Sequence, residues 1–412
     1  MPVLFLVADT GGGHRAAARA ISEELGRAYP GAFAPVLCDP LGGPGSAALL
    51  RWICRIYGPA VRLVPWLWGA VWHITNSRPA MRVLRTSLLV LANRPVAAAM
   101  ARNRPAVIVS LHPLTGAAAV AARDRLAPAT PVVTVVTDLV TPHAAWRSGS
   151  GDLVLAPAAT RRPAGRGARP QPAPLGLPVA AAFRCRPAGT RERAALRRSL
   201  GLARCRFLVV LTGGAEGCGG MARRARALIG QFDDVHVVAI CGRNRRLRRR
   251  LDALAARSPG RLTVRGFVGD MADWLRCADV VAGKAGPGTI AEATCCGAPL
   301  ILTSQLPGQE KGNAAFVTAA GAGRYAPGVR MLVAEISRLR ARPETLDAMR
   351  AASARLGQPG AALGIVARLA AITGVPAGAT AVAEATAAAQ SAEAEPPGRA
   401  RPARHPAETV PG

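Results

Sequence analysis

Lysine is nearly missing from this 412-residue sequence: 51 of its 53 basic residues are Arg and only Lys284 and Lys311 remain. Arginine in place of lysine, with abundant Ala, Gly and Pro, is what GC-rich coding produces. The formal charge of +29 therefore does not by itself indicate a nucleic-acid partner. Aromatic residues are scarce as well, at 4%. The densest basic run, residues 243–250, has six Arg and no aromatic side chain to stack on bases, so it reads as a solvated helix face. The nine cysteines form no Cys-x-x-Cys pair and no zinc spacing, which predicts a reduced cytosolic compartment. Nor is there a positively charged leader ahead of the first apolar run. The longest uncharged stretch of the N-terminal half, residues 105–122, is broken by His112, Pro113 and Gly116, so the sequence predicts neither a signal peptide nor a transmembrane helix.

What is present is enough apolar residue, 50%, to build two cores. Apolar runs at residues 3–7, 34–38, 106–110 and 132–137 alternate with helical patterns. A second series follows at 207–211, 235–240, 262–264, 280–281 and 300–302. Strands apolar throughout and separated by helices predict parallel sheets covered on both faces. The predicted fold class is α/β, with two Rossmann-like doubly wound domains facing across a cleft. The boundaries are residues 1–160 for an N-terminal domain, 161–190 for a Pro/Arg/Gly-rich linker, 191–372 for a C-terminal domain and 373–412 for a disordered tail.

Ligands of such sheets bind beyond the carboxyl ends of the strands. The first strand empties into Asp9-Thr10-Gly11-Gly12-Gly13-His14 ahead of a helix. Glycines there admit a close backbone approach, the helix N-terminus offers free N–H groups, and His14 at the tip is the candidate general base, with a pKa near neutrality. Two further strand ends give Thr212-Gly213-Gly214-Ala215-Glu216-Gly217 and Gly283-Lys284-Ala285-Gly286-Pro287-Gly288-Thr289. A pair of such loops in one domain suits a pyrophosphate gripped from two sides. Glu292, one turn into the following helix, is placed to accept hydrogen bonds from a ribose diol. Residues 307–313, Pro-Gly-Gln-Glu-Lys-Gly-Asn, combine an amide, an acid and an ammonium suited to sugar hydroxyls. Asp138 and His143 lie beyond an apolar strand, where an acid would orient a base or align an acceptor.

Two other readings stand beside this one. Gly11-x-Gly13-x-x-Ala16 with Asp39 as ribose acid fits a nicotinamide- or flavin-dependent oxidoreductase, which bound-cofactor absorbance would reveal. Charge alone fits a nucleic-acid binder, which salt-dependent retention on DNA would reveal.

The segments Ala8-Asp9-Thr10-Gly11-Gly12-Gly13-His14-Arg15, Ser110-Leu111-His112-Pro113, residues 136–146, Gly176-Leu177-Pro178-Val179 and residues 283–313 resemble monogalactosyldiacylglycerol synthase and the bacterial processive diacylglycerol glucosyltransferases. A more distant likeness is to the lipid-linked N-acetylglucosaminyltransferase of peptidoglycan synthesis. The resemblance implies a GT-B glycosyltransferase that moves galactose, glucose or N-acetylglucosamine from a UDP-sugar to a membrane lipid with inversion. By motif, His14 would be the base and Glu292 would hold the ribose. Gln309 and Glu310 would read the sugar, Gly213, Gly214 and Thr289 would face the diphosphate, and the turn Gly266-Phe267-Val268 would meet the uracil. Lys284, Gly288 and Asn313 are grouped with these donor-binding residues, and Gly12, Gly13 and His143 with an acceptor loop. No Asp-x-Asp pair is present, so neither a metal nor any other cofactor is expected. Trp52, Trp66, Trp68 and Trp72, interspersed with Arg51, Arg55 and Arg62, predict a monotopic contact with an anionic membrane, on the inner face of the cell membrane.

Overall fold

A computed structural model describes residues 1–147, 151–157, 160, 175–185, 187–203 and 205–376. The N-terminal sheet holds β1 (Pro2–Leu6), β2 (Ala34–Cys38), β3 (Val107–Ser110), β4 (Val132–Val135) and β5 (Leu153–Leu155). All are parallel, in the order β2-β1-β3-β4-β5. The C-terminal sheet holds β6 (Phe207–Thr212), β7 (Val235–Ile240), β8 (Leu262–Arg265), β9 (Val280–Lys284), β10 (Leu300–Ser304) and β11 (Gly323–Tyr325). These too are parallel, in the order β11-β10-β9-β6-β7-β8. The two doubly wound sheets are the predicted architecture. The short strands β5 and β11 have no local signal of their own and went unpredicted.

Each central strand is buried on both faces, which is why it reads as an unbroken apolar run and not as an alternation. Leu208 and Val210 enter one core of the C-terminal lobe, whereas Phe207, Val209 and Leu211 enter the other. Val3 and Phe5 are likewise divided from Leu4 and Leu6 in the N-terminal lobe.

One helix crosses the predicted domain boundary. The helix Ala361–Ile372 was assigned to the C-terminal domain, yet Ile365, Val366, Leu369 and Ala370 join the N-terminal core, where the helix packs on Gly13–Ala28. Burying four apolar side chains on the first lobe stabilises this return more than leaving them in solvent on the second. Residues 161–174 of the predicted linker and 377–412 of the predicted tail lie outside the described residues.

Three helices, Ala48–Leu63, Pro65–Thr75 and Arg78–Asn103, form the long connection between β2 and β3. Among the described residues no helix is long and apolar enough to cross a membrane.

Candidate active site

In each sheet the chain reverses its direction of winding once, and the crevice at that switch is where strand-end loops can diverge around a ligand. In the N-terminal sheet it lies between β1 and β3, which pair from Val3↔Val107 to Leu6↔Ser110. In the C-terminal sheet it lies between β6 and β9, where Thr212 pairs with Gly283 and sets the two glycine loops side by side.

Neighbouring strands β1, β3 and β4 deliver the residues of the first site. Gly11 and Gly12 adopt φ +84° and +82°, a left-handed conformation that reverses the chain into the helix Gly13–Ala28, which starts with no side-chain cap. His14 occupies the first turn and is buried. Its Nδ1 lies 2.7 Å from the Leu111 carbonyl oxygen and 2.9 Å from Thr137 Oγ1. A carbonyl can only accept, so Nδ1 carries the proton and Nε2 keeps its lone pair, as a base requires. The neutral pKa expected for His14 does not hold: burial lowers it to about 4, opposed in part by the Leu111 carbonyl. The rings of His112 and Trp146, with centroids at 4.6 and 6.5 Å, displace the water that would solvate an imidazolium.

Asp138 does not orient His14. Its Oδ2 accepts from Trp146 Nε1 at 2.7 Å and from the His143 backbone N–H at 3.3 Å. Burial raises its pKa to about 6, against hydrogen bonds from Trp146, His143 and the Gln309 side chain. The orienting partners of the base are a carbonyl and a hydroxyl. His143, expected on the acceptor loop, is buried too. It accepts from Ala145 N–H at Nδ1, faces Thr75 Oγ1 with Nε2 at 3.2 Å, and sets its ring against Trp72 at 5.6 Å. Its pKa falls to about 4 through burial.

In the C-terminal lobe Gly213 folds so tightly against Cys218 that a Cβ has no room there, and Gly214 stands at φ +68°. The helix Pro287–Cys295 begins without a side-chain cap and with no acid in its first turn. Gly288 and Thr289 lie in that turn and not in the preceding loop, so their N–H groups are free toward an anion. Lys284 is the last residue of β9. Its ammonium pairs with Glu310 Oε1, and Glu310 Oε2 accepts from Leu306 N–H at 2.7 Å. Each oxygen of Glu310 thus has a partner, and the carboxylate braces the Lys284 ammonium. Asn313 is fully buried and its Nδ2 donates to the Ala285 carbonyl at 2.9 Å, joining two donor loops, while its Oδ1 has no partner among the described residues. Glu292 is half-buried with no ion pair among the described residues, and burial raises its pKa to about 7. Phe267 is exposed, with the Arg243 guanidinium 6.0 Å from its ring centroid.

The two sites meet. A Cβ on Gly12 would lie 2.9 Å from that of Ala215, so the base loop faces the first donor loop. Arg62 pairs with Glu216 at 3.3 Å and Arg243 with Asp9 at 3.4 Å, each across the cleft. Sequence reasoning missed these pairs, and also Thr137 and Leu111, because contacts between distant strands leave no periodic trace. Asp39 receives the N–H groups of Asp9, Leu41 and Gly42 and pairs with Arg15 at 3.0 Å; its carboxylate braces the loop and is spent as a ribose acid.

The predicted aromatic cluster divides. Trp52 and Trp66 are exposed, at 58% and 69%, beside Leu63, Leu67 and Ile74. Trp72 is buried. Trp68 packs with Val61, Cys218 and Leu306, and its ring meets Tyr57 edge-on at 4.9 Å. Tyr57 in turn lies against Gly11. All nine cysteines are free, and among the described residues no His, Cys, Asp and Glu are grouped to hold a metal ion.

Residues 14–179 match the family Monogalactosyldiacylglycerol (MGDG) synthase, and residues 208–363 match the Glycosyltransferase family 28 C-terminal domain. The chain is similar to the probable monogalactosyldiacylglycerol synthase 2, chloroplastic, of Oryza sativa subsp. japonica: 35% identical over 352 residues, covering 82% of this chain and 73% of that protein. Monogalactosyldiacylglycerol synthase 1, chloroplastic, of Arabidopsis thaliana is 31% identical over 389 residues, covering 88% and 69%. Among solved structures, MurG of Acinetobacter baumannii aligns over 89% of this chain and 99% of its own, with TM-score 0.58 and 16% identity. Anabaena Alr3699/HepE, in complex with UDP and glucose, aligns over 91% and 99%, with TM-score 0.53 and 14% identity. These structural likenesses carry the two-domain glycosyltransferase fold, GT-B.

Proposed function

The chain belongs to the monogalactosyldiacylglycerol synthase family, and from that premise we propose that it is an inverting glycosyltransferase moving a hexose from a UDP-sugar to the hydroxyl of a membrane lipid such as diacylglycerol. The observation that carries this reading is His14, held as a neutral imidazole with Nε2 unspent, on a loop that abuts the Gly213–Gly214 turn. The acceptor oxygen attacks C1 of the sugar while its proton passes to His14 Nε2. The bond from C1 to the β-phosphate oxygen breaks, UDP leaves with the electron pair, and the single displacement inverts the anomeric carbon. Lys284 and the N–H groups of Gly288 and Thr289 meet the charge of the leaving diphosphate; Glu292 holds the ribose, Gln309 the sugar, and the turn at Phe267 the uracil. No cofactor beyond the UDP-sugar enters this scheme.

The lipid reading extends to attachment. Trp52 and Leu63 are exposed on the helix that also carries Arg55, and Trp66, Leu67 and Ile74 on the helix that follows it, a composition suited to lying in the headgroup region of an anionic membrane. The attachment proposed is monotopic, and the proposed side is the cytoplasmic face.

The test is incubation with liposomes containing diacylglycerol and, in turn, UDP-galactose, UDP-glucose and UDP-N-acetylglucosamine, following UDP release and the lipid product. One donor is expected to yield a glycolipid of inverted anomeric configuration. Consumption of none, or a product with retained configuration, sinks the proposal.

Glu292 adds a pH dependence. Its folded pKa is raised to about 7, so the carboxylate that accepts the ribose hydroxyls is lost as pH falls through 7. UDP affinity is expected to drop several-fold between pH 8 and 6 in titration calorimetry, and Glu292→Gln to bind weakly with no such slope. A parent protein whose affinity is flat over that range would remove Glu292 from the ribose.

A further inference from the structure

The turn assigned above to the donor sugar, residues 307–312, is held largely from the opposite lobe. Gly308, at φ +79°, is pressed onto the indole of Trp72, where a Cβ would stand 2.5 Å from Cε3 and 2.6 Å from Cδ2. One turn earlier on the same helix a Cβ on Gly69 would lie 2.6 Å from the Cβ of Pro307. Thr141 Oγ1 donates to the Lys311 carbonyl, and Gly312 lies against Val140. The helix Pro65–Thr75 is therefore two-faced. Trp66, Leu67 and Ile74 point outward to solvent, whereas Gly69 and Trp72 bear on the donor turn. Trp72 is 7% exposed and is itself fixed by the His143 ring and, through Thr75, by His143 Nε2.

We propose that Trp72 is a positioning residue for the donor sugar, its ring forming the support on which the backbone of residues 307–309 places the Gln309 side chain. Gln309 Oε1 is buried with no partner among the described residues. An acceptor left without a protein partner is satisfied by a water or by a ligand hydroxyl that displaces it, and a sugar hydroxyl does so only if the turn holds the amide at hydrogen-bond distance. In the donor reading above the phosphates and the uracil fall to other loops, so the effect of Trp72 falls on the hexose and not on the nucleotide. The inference rests on the donor reading of residues 307–313, and the experiment separates the two.

Titration calorimetry with UDP, and with whichever UDP-hexose the parent prefers, gives the ratio Kd(UDP)/Kd(UDP-hexose). Trp72→Ala is expected to lower this ratio about tenfold while leaving Kd(UDP) within about twofold, and to raise KM for the donor more than it lowers kcat. Trp72→Phe, which keeps a ring under Gly308, recovers most of the ratio. Gly69→Ala pushes Pro307 from the same helix and shifts the ratio in the same direction, which decides the matter if Trp72→Ala does not fold. Trp66→Ala, on the outward face, leaves the ratio unchanged. The proposal is overturned if UDP weakens in parallel with the UDP-hexose, if Gly69→Ala leaves the ratio at the parent value, or if Trp66→Ala matches Trp72→Ala. A parent that does not bind UDP at all refutes the donor reading itself.

Discussion

His14→Ala is expected to lower kcat by roughly 10²–10⁴-fold while UDP-sugar affinity stays within about twofold, because the imidazole takes a proton only as the acceptor attacks. The geometry makes this the largest catalytic effect in the chain. With Nδ1 facing the Leu111 carbonyl and Thr137 Oγ1, the ring is fixed in one tautomer, and the imidazolium formed in the reaction gains a charge-assisted hydrogen bond to that carbonyl. The pH profile follows with a definite sign. A pKa lowered to about 4 keeps the base neutral through the physiological range, so the His14 contribution to kcat/KM is flat from pH 8 to about 5 and falls with a one-proton slope below that. The same shift is linked to stability. Between pH 6.5 and 4 the unfolded chain binds a proton at His14 that the folded chain does not. The contribution is fully present above 6.5 and is lost as pH falls, amounting to about 3 kcal/mol at its limit. Circular dichroism beside each rate measurement separates unfolding from protonation. A His14→Ala variant as active as the parent would end the mechanism.

What the sequence made legible was whatever is local. A run such as residues 207–211, apolar at every position, only five residues long and followed by glycines, reads as a strand with both faces covered, and each glycine cluster at such a strand's end marks a turn that side chains would obstruct. Doubly wound parallel sheets then put the loops that carry His14, Gly213 and Gly288 at the carboxyl ends of their strands, and the observed strand orders set them at the switch points. What was illegible depends on pairs distant in sequence. That Glu310 pairs with Lys284 follows from β9 and the turn after β10 lying side by side, and no spacing within residues 307–313 reveals it. The buried bonds of Asn313 and Asp138 were illegible for the same reason: a polar residue in a loop has the same local signature whether it faces a ligand, a buried carbonyl or an indole N–H. Trp72 shows the limit most directly. It shares its short helix and its chemistry with Trp66, and only the loop beneath it from the other lobe turns one into a buried support and leaves the other exposed.

Lys284→Met is expected to destabilise the C-terminal lobe by about 3–5 kcal/mol, because it strands the Glu310 carboxylate in a site with 2% side-chain exposure. A lobe of this size would lose roughly 10 °C from its unfolding midpoint, measurable by calorimetry. The same change removes the one ammonium at the carboxyl end of β9, beside the uncapped start of Pro287–Cys295, so UDP affinity falls as well. The two effects separate in the double variant Lys284→Met/Glu310→Gln. Glutamine retains an oxygen for the Leu306 N–H that Glu310 now serves at 2.7 Å and introduces no charge to strand, so most of the stability returns. The diphosphate still lacks its cation, so UDP affinity does not return. Recovery of both in the double variant would mean that Lys284 serves only to neutralise Glu310. Recovery of neither would mean that the ammonium packs the turn in a way the glutamine cannot replace. Stability regained with affinity still lost is the outcome that gives the lysine of β9 its place at the leaving group.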